Sequence, residues 1–346
     1  MNSTTPNAHS LPRARASIND VAIHAGVSAQ TVSRVANSQT NVRPATRDRV
    51  LASMQALGYR PNSAARNLKS GRFRSIGVVT FNLRTLGNER TLDAIAFAAA
   101  EAGYTTTLLP VADPTQVDVA GAFGRLEEQA VDGIILIMSA EVGSPDELTL
   151  TAGLPLVIVD SDATLPHTIV DTDQEQGARL ALEHLLALGH RDIVHVSGPE
   201  ISFSAKRRAE AYRTVMTEAG LPVPPIVVGD WSAASGIAAG RAIAASERMP
   251  TAVFASNDQM ALGVMSAFHE LGLSVPGDVS VVGFDDADDA EAYWPPLTSV
   301  HQNFDEVGKS ATRLLIATID GEAETTKLLI PTQLVVRAST GEPRTP

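Results

Sequence analysis

INDVAIHAGVSAQTVSRVAN, residues 18 to 37, holds two short helical patterns joined at a glycine. Ahead of the first, Ser17 and Asp20 are spaced as a capping box: the Ser17 hydroxyl can accept from the backbone N–H of the third helical residue, and Asp20 favours the positive helix end. This helix runs to about Ala25, Gly26 permits a tight turn, and Ser28 caps a second helix. There Val32 and Val35 fall three apart on the side opposite Gln30 and Arg34. A third helix follows from about Pro44, which suits a first helical turn, through Val50, Leu51, Met54 and Leu57 to a stop at Gly58. Three short helices with one shared apolar face make a small core, and the first two form a helix-turn-helix.

Charge says what such a unit would hold. The chain has 346 residues and a net charge of −12, yet residues 1–74 carry eleven Lys and Arg against only Asp20 and Asp48. The head is therefore +9 and the remainder −21. A basic head suits a polyanion such as nucleic acid, and an acidic body repels it. In the second helix Ala29, Gln30 and Arg34 would face the major groove, because Arg pairs bidentately with guanine and Gln with adenine. Ser28, Thr31, Ser33 and Asn37 are better placed for phosphates, which position a protein without specifying sequence.

A hydrophobic fraction of 44% allows a large core and two or three domains. With no cysteine there are neither disulfides nor thiolate chemistry, which fits a reducing compartment. The first 16 residues are polar and expected to be disordered, with no apolar signal core, and nowhere do about 18 apolar residues run together. A cytoplasmic protein with no membrane partner is expected.

Beyond the headpiece (residues 17–60) comes RPNSAARNLKSG, residues 60 to 71, where Asn62 can cap a helix of about two turns. So short a helix is marginal in water, so this hinge (61–73) is expected to be coil until something holds it. From Ser75 the pattern alternates strand and helix. SIGVVTF, TTTLLPV, GIILIM and PLVIVD are continuous apolar runs, and the cycle repeats with DIVHVSG, PIVVGD, TAVFASN and DVSVVGFDD. Two successive doubly wound parallel-sheet units are implied, with the chain crossing between them near Val170 to Thr172 and near Val300 to Asn303. A cleft between such units, outside the carboxyl ends of the strands, is where a small ligand would bind.

INDVAIHAGVSAQTVSRVAN, followed by RVLASMQALGYRPNSAARNLKSG, resembles the headpiece and hinge of the lactose-repressor and galactose-repressor (LacI/GalR) family of bacterial transcription factors. The likeness continues through SFSAKRR (202 to 208), GDWSAASG (229 to 236), SNDQMALG (256 to 263) and FDDADDAEAYWPPLTSVHQNF (284 to 304), to about Arg337. It implies a periplasmic-binding-protein-like body over 74–340, its N-subdomain about 74–172 with 304–331 and its C-subdomain about 173–303 with 332–340. It also implies that Leu68, with Ala65 beside it, wedges into the minor groove when the hinge folds on DNA, where the larger protein surface that bent DNA wraps offsets the unstacking. In the cleft, Trp231 matches an aromatic on which a sugar ring rests, and Arg208, Asn257 and Asp285 match groups that hold sugar hydroxyls. Ser204 and Gln302 line the same pocket by similarity, and Phe81, Thr85 and Phe304 belong to its wall. Glu141 aligns with an aspartate of the sugar site. Planar forks of Arg, Asn and Asp take adjacent hydroxyls in pairs while an indole covers the C–H face.

Three departures stand out. Ala29 replaces a tyrosine of the recognition helix, which bears on the operator sequence. Phe81, Thr85 and Gly87 replace smaller or more apolar wall residues, which bears on the sugar's substituent. No leucine heptad ends the chain, so a homodimer on a pseudo-palindromic operator is expected. His184 and His190 lack further ligands at metal spacing, and Asp285, Asp286, Asp288 and Asp289 lack a calcium loop's glycine and spacing. No metal and no cofactor is expected, nor is an enzyme, since no phosphate loop, nucleophile elbow or dinucleotide fingerprint occurs. The expected function is a repressor released from operator DNA by a small sugar, a galactoside. The alternatives are a family member that uses its small molecule as corepressor, a solute-binding protein, or a sugar-processing enzyme.

Overall fold

The computed structural model describes residues 16–36, 41–59, 71–81, 85–111, 115–138, 153–161, 165–322 and 324–344. The chain forms two compact units, Met1–Phe73 and Arg74–Pro346. In the first, α1 (Ile18–Ala25) opens on the capping box: the Ser17 hydroxyl accepts from Asp20 N at 3.3 Å and the Asp20 carboxylate accepts from Ser17 N at 2.8 Å. These bonds, the backbone one foremost, hold Asp20 below the usual carboxylate range. Gly26 ends the helix at φ 65°, a left-handed conformation that costs glycine little. Helices α2 (Ala29–Ala36) and α3 (Pro44–Ala56) complete the unit, with Val21, Ala25, Val32, Val35, Val50 and Met54 buried together. Leu51 departs from the expected shared face and is 49% exposed. It follows Val50 by one position, about 100° round the helix, so the inward stripe is Val50, Met54 and Leu57.

The second unit carries two six-stranded sheets. The N-terminal half holds β1 (Ser75–Thr80), β2 (Thr105–Pro110), β3 (Gly133–Ile137), β4 (Leu156–Val159), β5 (Thr168–Thr172) and β11 (Lys327–Ile330), in the order β11-β5-β4-β3-β1-β2. The C-terminal half holds β6 (Ile193–Ser197), β7 (Val227–Val228), β8 (Ala252–Ala255), β9 (Ser280–Asp285), β10 (Thr298–His301) and β12 (Gln333–Val335), ordered β12-β10-β9-β8-β6-β7. Five strands of each half follow the order 2-1-3-4-5 of a doubly wound sheet. Helices α4 (Leu86–Glu101), α5 (Gln116–Glu128) and α10 (Phe304–Ile319) belong to the first half, and α6 (Gln174–Ala187), α7 (Phe203–Glu218), α8 (Ala233–Ala244) and α9 (Asp258–Glu270) to the second.

Two expected strands prove weaker than the central ones, for one reason. TTTLLPV and PIVVGD form sheet edges: β2 is largely solvent-facing and β7 is two residues long. An edge strand needs apolar residues on fewer sides, so a continuous run overstates its burial. Nor is the second sheet wholly parallel, because β12 pairs antiparallel with β10.

The chain passes between the halves three times, after β5, after β10 and after β11, and the passages are tied together. Asp173 N donates to Ile330 O at 2.8 Å, the Gln174 amide to Gln302 Oε1 at 3.2 Å, and Thr332 N to Gln176 Oε1 at 2.7 Å.

Candidate functional site: a recognition helix and a ligand cleft

Within α2, Val32 and Val35 are buried, which turns the helix so that Ser28 and Gln30 are exposed and Ala29, Thr31, Ser33 and Arg34 half-exposed. The Ser28 hydroxyl accepts from Thr31 N at 3.2 Å and meets the Thr31 hydroxyl at 3.0 Å, so the start of the helix is capped by a residue read for phosphate contact. Asn37, Asn62, Ala65 and Leu68 lie outside the described residues, as does Glu141.

In the body, the carboxyl ends of both sheets open onto one cavity of about 520 Å³. It gathers ten pocket and wall residues named from the sequence: Phe81, Thr85, Gly87, Ser204, Arg208, Trp231, Asn257, Asp285, Gln302 and Phe304. They come from elements more than 200 residues apart and meet because nearly all end or follow a strand or lie at the start of a helix, Arg208 alone reaching in from the second turn of α7.

Arg208 is the buried centre of the site. Its Nε donates to Gln174 Oε1 at 2.8 Å, one Nη donates to the Ser256 carbonyl, and the guanidinium lies 3.7 Å from the Phe284 ring centroid and 5.6 Å from that of Trp231. Asp285 accepts from the Gln302 amide at 2.6 Å. Burial pushes the Asp285 carboxyl up to about 6, against the opposing pull of Arg208 and the Gln302 bond. Trp231 sits at φ 73°, a strained backbone for a tryptophan. Its carbonyl accepts from the Asn257 amide at 3.0 Å, and its ring lies so close to Gly198 that any Cβ there would strike it. Asn257 is itself occupied: Oδ1 caps α9 through Met260 N at 2.9 Å, and Nδ2 also reaches Gln259 at 2.8 Å. Asn257 therefore caps α9 and ties down the Trp231 backbone.

The sequence reading missed Asp160 and Asp171. Both line the cavity, at the carboxyl ends of β4 and β5. Asp160 Oδ1 is sealed from solvent and has no hydrogen-bond partner among the described residues. Burial, then the neighbouring Asp171, pushes its carboxyl up to about 7. Asp171 is raised by burial too, opposed by its bond from Arg207. A signal was present: PLVIVD and TIVD each end an apolar run in an acid, as GFD does at Asp285. Positive φ marks Asp160 (52°), Trp231 (73°) and Asp285 (118°) alike, and such strain in non-glycine residues clusters at functional sites.

The weaker sequence signals resolve as structure. His190 is buried between the Thr251 hydroxyl (2.9 Å) and the Gly341 carbonyl (2.8 Å), and His184 reaches Thr340 at 3.0 Å, so both fasten the C-terminal segment. Asp286 pairs with Arg337 at 2.7 Å. Among the described residues no group of acidic or histidine side chains could hold a metal ion.

Comparison with known proteins fits this two-part construction. Residues 17–62 match the pattern described as "Bacterial regulatory proteins, lacI family", and residues 182–340 match a "Periplasmic binding protein-like domain". Across 329 residues the chain is 36% identical to the lactose operon repressor of Escherichia coli (strain K12), covering 94% of this chain and 91% of that one. The chain belongs to the lacI family. This lacI-family protein is also 36% identical over 334 residues to the HTH-type transcriptional repressor PurR of Pasteurella multocida (strain Pm70), covering 94% of this chain and 98% of that one. Its fold matches the lac repressor dimer bound to operator and the anti-inducer ONPF with a TM-score of 0.88 at 34% identity, over 95% of this chain and all of that one. The lacI-family protein is thus a DNA-binding transcriptional repressor, with a helix-turn-helix head and a body of two parallel-sheet α/β subdomains.

Proposed function

We propose that this repressor lets go of its operator when a small, neutral, polyhydroxylated ligand, a galactoside-like sugar, fills the cleft. The observation that carries the reading is the cavity's chemistry: Arg208, Asp285 and Gln302 offer hydrogen-bonding forks in the same cavity as the Trp231 ring, and Asp160, whose Oδ1 has no partner among the described residues, lines it too. Such a set suits hydroxyls on a ring with an apolar face. Asp160, Asp171, Asp230 and Asp285 line the cavity against Arg208, which argues against an anionic effector.

On the DNA side, Ala29, Gln30 and Arg34 read base edges while Ser28, Thr31, Ser33 and Asn37 hold phosphates; Asn62, Ala65 and Leu68 serve the hinge on operator DNA. The working unit is a cytoplasmic homodimer, a reading supported by the lac repressor of the same fold, which is described as a dimer bound to operator. The sugar can shift operator binding only by its preference for the DNA-free arrangement.

The test is fluorescence anisotropy of a labelled fragment of the gene's own promoter, titrated with protein and then with lactose, allolactose and galactose. Release by a galactoside is expected. Tighter binding on adding the sugar would assign it as corepressor, and indifference to every sugar would refute the effector class.

A further inference from the structure

In each half of the body, the helix after the first strand starts in the same way. Helix α4 begins with Leu86 and carries Arg90 one turn later; α7 begins with Phe203 and carries Arg207 one turn later. Residues four apart share a helix face. Leu86, from the N-terminal half, packs against the core of the C-terminal half, and Phe203, from the C-terminal half, packs against the core of the N-terminal half. The arginines cross in the same directions. Arg90 lies 2.5 Å from Asp288 in the loop after β9, while Arg207 donates to Asp171 at the end of β5 and to the Ser161 carbonyl after β4.

We propose that these are two copies of one clasp, an apolar plug backed by an arginine, that hold the cleft closed, with Arg207–Asp171 the dominant fastening. The two copies differ in setting. Asp288 is 94% exposed, where water and salt weaken an ion pair, whereas Asp171 is 2% exposed and its bridge is charge-assisted in a dry wall. Leu86 and Asp171 also line the cavity, so whatever fills it touches both clasps. The regulatory consequence, that occupancy acts through the clasps on the arrangement of the halves, rests on the cleft being the effector site; the clasp itself does not.

The chain has two tryptophans, Trp231 in the cleft and the exposed Trp294. In a Trp294→Phe background, acrylamide quenching of Trp231 therefore reports cleft opening without any ligand. Arg207→Met is expected to shift the open-to-closed ratio by about tenfold and to raise the quenching constant several-fold. Arg90→Gln should raise it less, and that smaller rise should vanish at high salt. Should Arg207→Met fail to fold, the isosteric Asp171→Asn is measured in its place. The deciding variant is Arg207→Met with Asp171→Asn, which relieves the buried unpaired acid yet lacks the bridge. Quenching as high as in the single variant, with thermal stability regained, upholds the clasp. A return to the unaltered value overturns it, since Arg207 would then only neutralise Asp171. No sugar enters this experiment, so an operator that ignores galactosides would leave its result standing.

Discussion

One methyl group at Gly198 should disable the cleft without touching DNA recognition. A Cβ there would lie 2.6 Å from the Trp231 Cε2, and closer still to Cζ2 and Cη2. Carbon contacts settle at about 3.5–4.0 Å, so in Gly198→Ala the indole must swing by roughly 1 Å. It cannot retreat freely, because Asn257 holds its carbonyl and its backbone is already at φ 73°. Overpacking of this kind costs about 1–3 kcal/mol, which sets the expected loss of stability of the body. If the displaced ring forfeits about 1.4 kcal/mol of contact with a sugar, affinity falls about tenfold. Thermal unfolding, Trp231 emission in a Trp294→Phe background, and sugar-dependent release of labelled operator together check this. Sugar affinity and Trp231 emission both unchanged would refute the view that Gly198 is kept small to seat the indole, and with it the assignment of Trp231 as the ligand's platform.

Arg208→Lys keeps the charge but loses the donation to Gln174 and the stacking over Phe284, so sugar affinity should fall at least about tenfold while operator affinity stays within about twofold, read by the same anisotropy titrations. Stability should depend on pH through Asp285: its carboxyl sits at about 6 in the folded chain against 3.8 ordinarily, so between those values the folded state binds a proton that the unfolded state lacks. Stability then falls as pH rises through that window, by up to about 3 kcal/mol from this group, and Asp160 at about 7 and Asp258 at about 8 act in the same direction. Denaturant midpoints at pH 4.5 and 7.5 should therefore separate, and Asp285→Asn should narrow the gap; an equal gap in both proteins would contradict the assignment. Ser17→Ala removes one partner of the capping box and should cost the headpiece about 1 kcal/mol, seen as faster amide exchange in α1 of the full-length protein.

How far the sequence went depends on the range of the interaction concerned. Ser17 with Asp20, Gly26, Ser28 with Thr31 and Pro44 act over one turn of chain, and each was legible as written. Central strands were legible as apolar runs because both their faces are covered. β2 and β7 were overstated because an edge differs from a centre only by the neighbour it lacks, which no local pattern records. Leu51 was misassigned for a finer reason, a difference of about 100° in helical phase from Val50.

The sequence by itself therefore determined the helix-turn-helix, the charge division between head and body, the alternation that builds two wound sheets, and the kinds of side chain in the cleft. Tertiary structure alone decided that Asp160 and Asp171 join that cleft, that the Asn257 amide is engaged in holding Trp231, and that Arg90 and Arg207 cross between the halves. Those facts depend on chain passages that bring together residues such as Gln174 and Gln302, far apart along the chain, within hydrogen-bonding distance. A carboxylate's neighbours, and hence its charge and its use, are set by that closure and not by the residues beside it in the chain.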